Sequence, residues 1–182
     1  MRIIYHTRPP NQLEFFMEFL SGMGFDVHAL LPTSKENNTI PLCGIAVPCP
    51  FEIIAHSDGD VALHALVDAI LGAIGAGDIG EHFSPNDSQW RNKNSAHFVS
   101  HAMQLCREKN ATLVNADITL ICETPKINNY KKLMRENVAK LLLLPIDRVN
   151  IKATTTEKLG FLGRKEGIAA QAIVSVKIPV GL

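Results

Sequence analysis

The chain has 182 residues, of which 46% are hydrophobic and 20% charged, so a single domain with a packed core is expected and disorder is not. Eighteen basic and eighteen acidic side chains cancel to a formal net charge of zero, which argues against a nucleic-acid-binding protein that works through bulk electrostatics. No apolar run reaches the roughly 18 residues of a membrane span, so no membrane segment is predicted. Four scattered cysteines without a CxxC pair (Cys43, Cys49, Cys106 and Cys122) predict reduced thiols in a cytoplasmic protein.

Residues 1–22 stand apart as an N-terminal extension of the domain that is predicted over 23–182. Within the extension, Leu13, Phe16, Met17 and Leu20 follow the i, i+3, i+4, i+7 spacing of an amphipathic helix. We therefore predict a short helix that packs on the domain.

Strands and helices alternate along the rest of the chain, which predicts an α+β fold. One mixed β-sheet covered by helices on one face is expected, and its other face would need a cover such as a second copy of the chain. The periodicities predict strands over Gly24–Leu31, Ile40–Ile53, Ala111–Cys122, Arg148–Thr156 and Gly167–Ile178, and helices over Ala62–Ile74, Ser95–Lys109 and Asn128–Leu144.

The first predicted helix carries an unusual polar stripe. His56, Asp60, His64 and Asp68 recur at every fourth position of a segment that is otherwise apolar. Burying several ionisable groups costs several kcal/mol, about the scale of a domain's stability, unless the charges are paired or bind a metal. Ser57 followed by Asp60 resembles a capping box at the helix start, and His56 at the helix mouth could donate to an anion.

A second pair of potential ligands precedes this helix. Asp26 and His28 are two residues apart on a predicted strand and therefore point to the same face. Together with His64 they would give three ligands of types that suit a catalytic zinc site. Asp60 and Asp68 would then support the ligands, or Asp60 would serve as a helix-start acid. The simpler alternative is that Asp26 caps a turn and His64 is a core histidine.

The segment Lys152–Phe161 combines three consecutive threonines with Glu157. Hydroxyls next to a carboxylate suit phosphate oxygens bridged by Mg²⁺ or Mn²⁺, although the strand propensity of threonine alone would also explain the run. Pro125 and Lys126 close another strand in a loop that could hold phosphates. Asp78 lies in a glycine-rich turn, either as a cap or as a contact to ligand hydroxyls.

Five segments between about Met23 and Lys177 together resemble the 2-C-methyl-D-erythritol 2,4-cyclodiphosphate synthase family, and they occur in the order and spacing of that family. The segments read GFDVHAL, AHSDGDVALHALVDAILGAIGAGDIGEHF, TPKI, VNIKATTTEKLGF and GRKEGIAAQA.

The resemblance implies a homotrimer whose sheets pack around a central axis and whose active sites each lie between two chains. It implies Zn²⁺ ligands at Asp26, His28 and His64 and a second divalent ion, Mg²⁺ or Mn²⁺, at Glu157. Asp26, Glu157 and His56 would form the catalytic group.

The resemblance also implies a cytidine diphosphate substrate, and it assigns contacts to each part of that molecule. The diphosphate would lie at His56 and Ser57, and the phosphates would also lie near Thr154 and Thr155. The polyol would contact Asp78 and Gly80. The cytidine would contact Cys122, Pro125, Lys126 and Ile127, and Phe161 and Arg164 would be further contacts.

The implied reaction is a cyclisation in which the 2-phosphate of the substrate attacks its own β-phosphate and releases CMP. Two other classes stay open: a zinc-dependent phosphohydrolase that uses water, and a non-catalytic trimer that binds zinc or nucleotide.

Three positions depart from the family pattern. Met23 replaces a histidine that usually precedes the first strand, and Ser84 stands where proline is usual. Arg164 and Glu166 match a pair that lines the central cavity of relatives, which sometimes holds an isoprenoid diphosphate, but Lys165 between them is less usual. An ordinary salt bridge at the trimer axis is the simpler interpretation of that pair.

Overall fold

The computed structural model describes residues 16–55, 57–84, 90 and 93–180. Its strands are β1 (Phe16–Pro32), β2 (Thr39–Leu42), β3 (Ile45–Pro48), β4 (Phe51–Ile54), β5 (Thr112–Ile121), β6 (Val149–Thr154) and β7 (Gly167–Val180). Its α-helices are α1 (Val61–Ala73), α2 (Ile79–His82), α3 (Ala96–Glu108), α4 (Lys131–Leu142) and α5 (Gly160–Gly163). Short 3₁₀ turns cover Asn128–Tyr130 and Ile146–Arg148.

Five strands form one mixed sheet in the order β4-β1-β7-β5-β6. The β5–β6 pair is parallel and the other pairs are antiparallel. Helices α1, α3 and α4 pack on one side of this sheet around a shared apolar core. The predicted α+β class and the helix-covered mixed sheet are confirmed. The predicted strand segment Ile40–Ile53 divides, because β2 and β3 form a separate two-stranded hairpin while β4 joins the main sheet.

The first strand differs from the prediction at its start. The predicted helix through Leu20 is wrong for Phe16–Leu20, which form the beginning of β1, and Leu13 lies outside the described residues. These residues pair in register with the end of β7, from Phe16 opposite Val180 to Leu20 opposite Val176. Backbone hydrogen bonding to β7 therefore outweighs a weak local helical pattern. The strand runs without a break through Met23 and across the predicted boundary at residue 22.

Helix α1 begins one turn later than the predicted capping box. Asp60, not Ser57, is the N-cap, and its carboxylate accepts the Leu63 amide at 3.1 Å. The same carboxylate accepts the amides of Cys43 at 3.0 Å and Gly44 at 2.5 Å, so it ties the β2–β3 hairpin to the helix start. Asp60 has no exposed surface, and burial raises the pKa of its carboxyl while the three amides lower it. The prediction of Asp60 as a helix-start acid is confirmed.

Close contact between α1 and β1 depends on two glycines in β1. A Cβ at Gly24 would lie 2.0 Å from the carbonyl oxygen of Ala65, and one at Gly22 would lie 2.0 Å from that of Ala69. Both obstacles are backbone atoms of a buried helix, which cannot move away as a flexible side chain can. Glycine at these positions therefore sets how near the helix lies to the strand.

All four cysteines are buried and none forms a disulfide. Among the described residues, no helix has the length and apolar character that crossing a membrane requires.

We expect Gly24→Ala to destabilise the protein by at least about 2 kcal/mol, because the added methyl group pushes α1 off the sheet. Gly72→Ala is the matched control, since its added Cβ would meet only the Met23 carbonyl oxygen at 4.0 Å. That control should raise stability by about 0.5–1 kcal/mol through helix propensity. Urea unfolding of both variants measures the difference, and equal stabilities would contradict this account of the α1–β1 contact.

Candidate active site

Asp26, His28 and His64 meet at the contact between β1 and α1. Strand alternation puts Asp26 and His28 on the face that α1 covers, and the close approach of the helix brings His64 to them. Asp26 Oδ2 lies 3.0 Å from His64 Nδ1 and 3.5 Å from His28 Nε2. The two imidazole rings meet edge to face with centroids 5.1 Å apart. One oxygen and two nitrogen donors thus converge within 4.8 Å of one another.

The protonation pattern of His28 fits a metal ligand. Its Nδ1 donates to the carbonyl oxygen of Val27 at 2.9 Å, so in the neutral imidazole Nε2 is the atom with a free lone pair. That Nε2 is buried and has no hydrogen-bond partner, although it faces the cluster. An imidazole fixed by a hydrogen bond from one nitrogen and open at the other is the usual form of a metal-binding histidine. The triad therefore fits a divalent cation that accepts nitrogen and oxygen ligands.

The other members of the polar stripe have different surroundings. Asp68 accepts the amide of Ile79 at 2.8 Å and so holds the start of α2. Burial raises the pKa of the Asp68 carboxyl, and the Ile79 amide lowers it. Asp60 caps α1, and His56 lies outside the described residues. Of the stripe residues that the structure describes, only His64 belongs to the candidate metal-binding triad.

A pocket of about 160 Å³ opens at the ends of β5 and β6. It brings together Cys122, Pro125, Lys126 and Ile127, the four residues predicted for the cytidine. Burial raises the pKa of the Cys122 thiol to about 12, so the thiol is neutral at physiological pH. The predicted phosphate contacts Thr154 and Thr155 also line it, together with Asn128 and Ala153.

Glu157 lies in a tight turn after β6 and is not grouped with Asp26, His28 and His64. Glu157 and Lys158 both have positive φ angles, 53° and 64°, a conformation that costs non-glycine residues about 1–2 kcal/mol each. Glu123 stabilises this turn, because its Oε1 accepts the amides of Thr156 at 3.2 Å and Lys158 at 3.1 Å. Thr155 Oγ1 donates to Glu157 Oε1 at 2.8 Å and orients the carboxylate.

Other predicted substrate contacts lie on short elements beside the sheet. Asp78 is the N-cap of α2 and accepts the Glu81 amide at 3.0 Å, and Gly80 lies within the same helix. Ser57 Oγ lies 3.1 Å from His64 Nε2. Phe161 is half-exposed on α5. Their roles toward a substrate stay predictions.

Arg164 and Glu166 form a two-bond ion pair with each other. Arg164 Nε and Nη2 donate to the Glu166 carboxylate at 2.8 and 2.9 Å, and both side chains are exposed. The salt bridge of the simpler interpretation is therefore present within the chain, while its position at a trimer axis stays a prediction. A central cavity and a ligand in it stay predictions.

Comparison with known proteins identifies the family of this chain. The YgbB family model matches residues 19–177. The chain belongs to the YgbB family. This YgbB chain is 51% identical over 158 residues to a 2-C-methyl-D-erythritol 2,4-cyclodiphosphate synthase of Anaplasma phagocytophilum, a match that covers 87% of the chain and 94% of that relative.

Other relatives are longer than this YgbB chain. A bifunctional IspD/IspF enzyme of Caulobacter vibrioides is also 51% identical over 158 residues, but the match covers 87% of the chain and 40% of the relative. The chain thus spans less than half the length of such bifunctional relatives. Among solved structures, the CDP complex of IspF from Plasmodium falciparum superposes with a TM-score of 0.76 at 35% identity, over 88% of the chain and 96% of that structure.

Three residues of this YgbB protein were missed by the sequence reasoning. Ser95 contacts His64, Asp58 contacts Ser95, and Glu123 holds the turn of Glu157. Each acts through another residue rather than at a ligand, so neither spacing nor periodicity singles it out. For Glu123 the sequence offers one signal, because this acidic residue directly precedes the Thr124-Pro125-Lys126 loop.

We expect His64→Ala to bind zinc more than about 100-fold more weakly, a larger loss than the removal of an outer partner of a metal ligand causes. The substitution removes one of the three metal-binding atoms of the triad, which explains the expected loss of affinity. Circular dichroism should show that the sheet and helices are retained. Chelator competition on metal-depleted protein measures the affinity. His101→Ala is the control, since His101 contacts His82 at 3.2 Å and takes no part in the triad cluster. Unchanged zinc affinity in the His64 variant would contradict the assignment.

Proposed function

We propose that this chain is a 2-C-methyl-D-erythritol 2,4-cyclodiphosphate synthase, a phosphorus–oxygen lyase. The observation that carries the proposal is the convergence of Asp26, His28 and His64 in a chain that matches a relative of this name over 94% of the relative's length. The substrate would be 4-diphosphocytidyl-2-C-methyl-D-erythritol 2-phosphate, and the products 2-C-methyl-D-erythritol 2,4-cyclodiphosphate and CMP.

The reaction balances without water or a protein nucleophile. An oxygen of the 2-phosphate attacks the β-phosphorus of the diphosphate, and the bond from that phosphorus to the oxygen bridging the two phosphates breaks. CMP leaves with the bridging oxygen and its electron pair. Two anionic groups must approach each other, so the protein has to neutralise charge and fix the reacting groups in place.

The residues divide this task between two metal positions. Asp26, His28 and His64 would hold Zn²⁺, and Glu157 would contribute to a site for Mg²⁺ or Mn²⁺. When bound, these ions supply Lewis-acid neutralisation of the diphosphate oxygens. Asp26 provides the negative charge that selects a cation, and the turn held by Glu123 presents the Glu157 carboxylate.

The pocket at the ends of β5 and β6 would bind the cytidine nucleotide. Lys126 supplies a positive charge there, and Thr154 and Thr155 supply hydroxyls for phosphate oxygens. Cys122 lines the base region as a neutral thiol. The CDP complex of the Plasmodium falciparum relative supports a cytidine nucleotide as the ligand class.

The remaining contacts complete the proposed site. His56 and Ser57 would bind the diphosphate, with His56 as the third catalytic residue beside Asp26 and Glu157. The polyol would meet Asp78 and Gly80, and Phe161 and Arg164 would be further contacts. Pro125 and Ile127 would line the cytidine pocket with Cys122 and Lys126. We also place the enzyme in the cytoplasm, which the four unpaired thiols support.

Phosphorus-31 NMR of the purified protein with the diphosphocytidyl substrate, Zn²⁺ and Mg²⁺ tests the reaction. We expect CMP to appear together with a cyclic diphosphate. Repeating the reaction in ¹⁸O-labelled water separates the two catalytic classes, because internal attack places no ¹⁸O in either product. Hydrolysis would place ¹⁸O in a linear phosphate product.

His64→Ala is the control for metal dependence in this assay and should be inactive. A linear ¹⁸O-labelled product would favour the phosphohydrolase instead. No turnover by a folded, zinc-loaded protein would favour a non-catalytic binding role.

We further propose that the enzyme is a homotrimer with active sites between neighbouring chains. The sheet face opposite Asp26 and His28 carries exposed apolar side chains, namely Phe19, Met23, Phe25, Val27 and Ile173. A contiguous apolar surface of this kind favours association between protein surfaces. Packing three sheets around one axis would bury it.

Light scattering should give a mass about three times the 20.0 kDa of the chain. Mixing His64→Ala and Glu157→Ala chains under subunit exchange should restore part of the activity. In mixed trimers, a Glu157→Ala chain, which keeps His64, can lie beside a His64→Ala chain, which keeps Glu157, and the site between them is then complete. A monomer in solution, or mixed trimers without activity, would contradict the shared site.

A further inference from the structure

Ser95 and Asp58 lie directly behind the metal cluster. Ser95 has no exposed surface and precedes α3, where its hydroxyl lies 2.9 Å from His64 Nε2. Asp58 Oδ2 accepts the Ser95 amide at 2.9 Å, and Asp58 Oδ1 accepts the Ser95 hydroxyl in a short hydrogen bond. A chain of hydrogen bonds thus runs from Asp58 through Ser95 to His64.

The protons in this chain can be assigned from the donors and acceptors. A carboxylate only accepts, so the single hydroxyl hydrogen of Ser95 points to Asp58. The Ser95 oxygen then presents a lone pair to His64 Nε2, and this contact is favourable only if Nε2 carries a hydrogen. In neutral His64 the other nitrogen, Nδ1, is therefore unprotonated.

Ser57 is the competing partner of the same nitrogen. Its hydroxyl lies 3.1 Å from His64 Nε2. One lone pair of the Ser57 oxygen accepts the Gly59 amide at 3.3 Å, so the hydroxyl hydrogen could donate to Nε2 or the second lone pair could accept from it. Donation by Ser57 would leave the lone pairs of Nε2 and Ser95 facing each other at 2.9 Å. The hydrogen bond of Ser95 to a charged group is the stronger constraint, so Ser95 decides the tautomer.

The tautomer determines what His64 Nδ1 presents to Asp26. The unprotonated Nδ1 faces the Asp26 carboxylate oxygen at 3.0 Å, and two lone pairs at that distance repel unless a cation lies with them. We propose that Ser95, oriented by Asp58, is a positioning residue that fixes His64 as the Nε2–H tautomer and so reserves Nδ1 for the metal. The inference rests on the metal role of His64 in the proposed function, but not on the reaction.

Nitrogen-15 NMR of the histidine rings in metal-depleted protein at pH 8 tests the tautomer directly. Wild-type His64 should show a protonated Nε2 and an unprotonated Nδ1. Ser95→Ala should shift His64 toward the Nδ1–H form, which can donate to Asp26, and should weaken zinc binding by about 10–100-fold in chelator competition. Ser95→Thr keeps the hydroxyl and should therefore retain the wild-type tautomer of His64 and the wild-type zinc affinity.

Ser57→Ala is the matched control, because it removes the other hydroxyl at the same nitrogen and should leave the tautomer unchanged. Thermal unfolding checks that each variant is folded, and the wild-type tautomer keeps the test decisive if the Ala variant is not. A wild-type His64 in the Nδ1–H form, or a Ser95→Ala protein with unchanged tautomer and zinc affinity, would overturn the inference. A wild-type Nε2–H tautomer without zinc binding would instead overturn the metal site of the proposed function.

Discussion

The contact between α1 and β1 is the constraint on which the rest of the site depends. Gly24 lies two residues before Asp26, and the carbonyl oxygen that its missing side chain admits belongs to Ala65, the residue after His64. The distance between helix and strand at this point therefore fixes the distances between the side chains of the triad. Because β1 is paired with β7 along this stretch and α1 is buried, the fold itself holds the triad in place.

Much of the fold followed from periodicity. The strand alternation around Asp26 and the apolar pattern around His64 predicted the elements and the faces on which both residues lie. The class and the helix-covered sheet were confirmed for the same reason, since long periodic segments bury one consistent face. The residues of the pocket were found through a family resemblance, and the structure brings them together at the ends of two neighbouring parallel strands.

What the sequence did not reveal depends on contacts between distant segments. Phe16–Leu20 has a helical spacing, but its partner is the end of β7, more than 150 residues away. Ser95 and Asp58 are 37 residues apart and meet only because α3 packs beside α1. The capping error at Ser57 has a similar origin. The carboxylate of Asp60 gains two further amides from the β2–β3 hairpin, which local sequence rules do not include.

Glu123 has a consequence for the cost of ligand binding. It follows directly on Cys122 in the pocket at the ends of β5 and β6, and it also accepts two amides of the turn that carries Glu157. These hydrogen bonds lie within the protein, so they order the turn on folding, and little of its conformational entropy remains to be lost on binding. A substrate with several flexible phosphates would meet a surface on the protein side that is already rigid, and more of its interaction energy would remain for affinity and for the reaction.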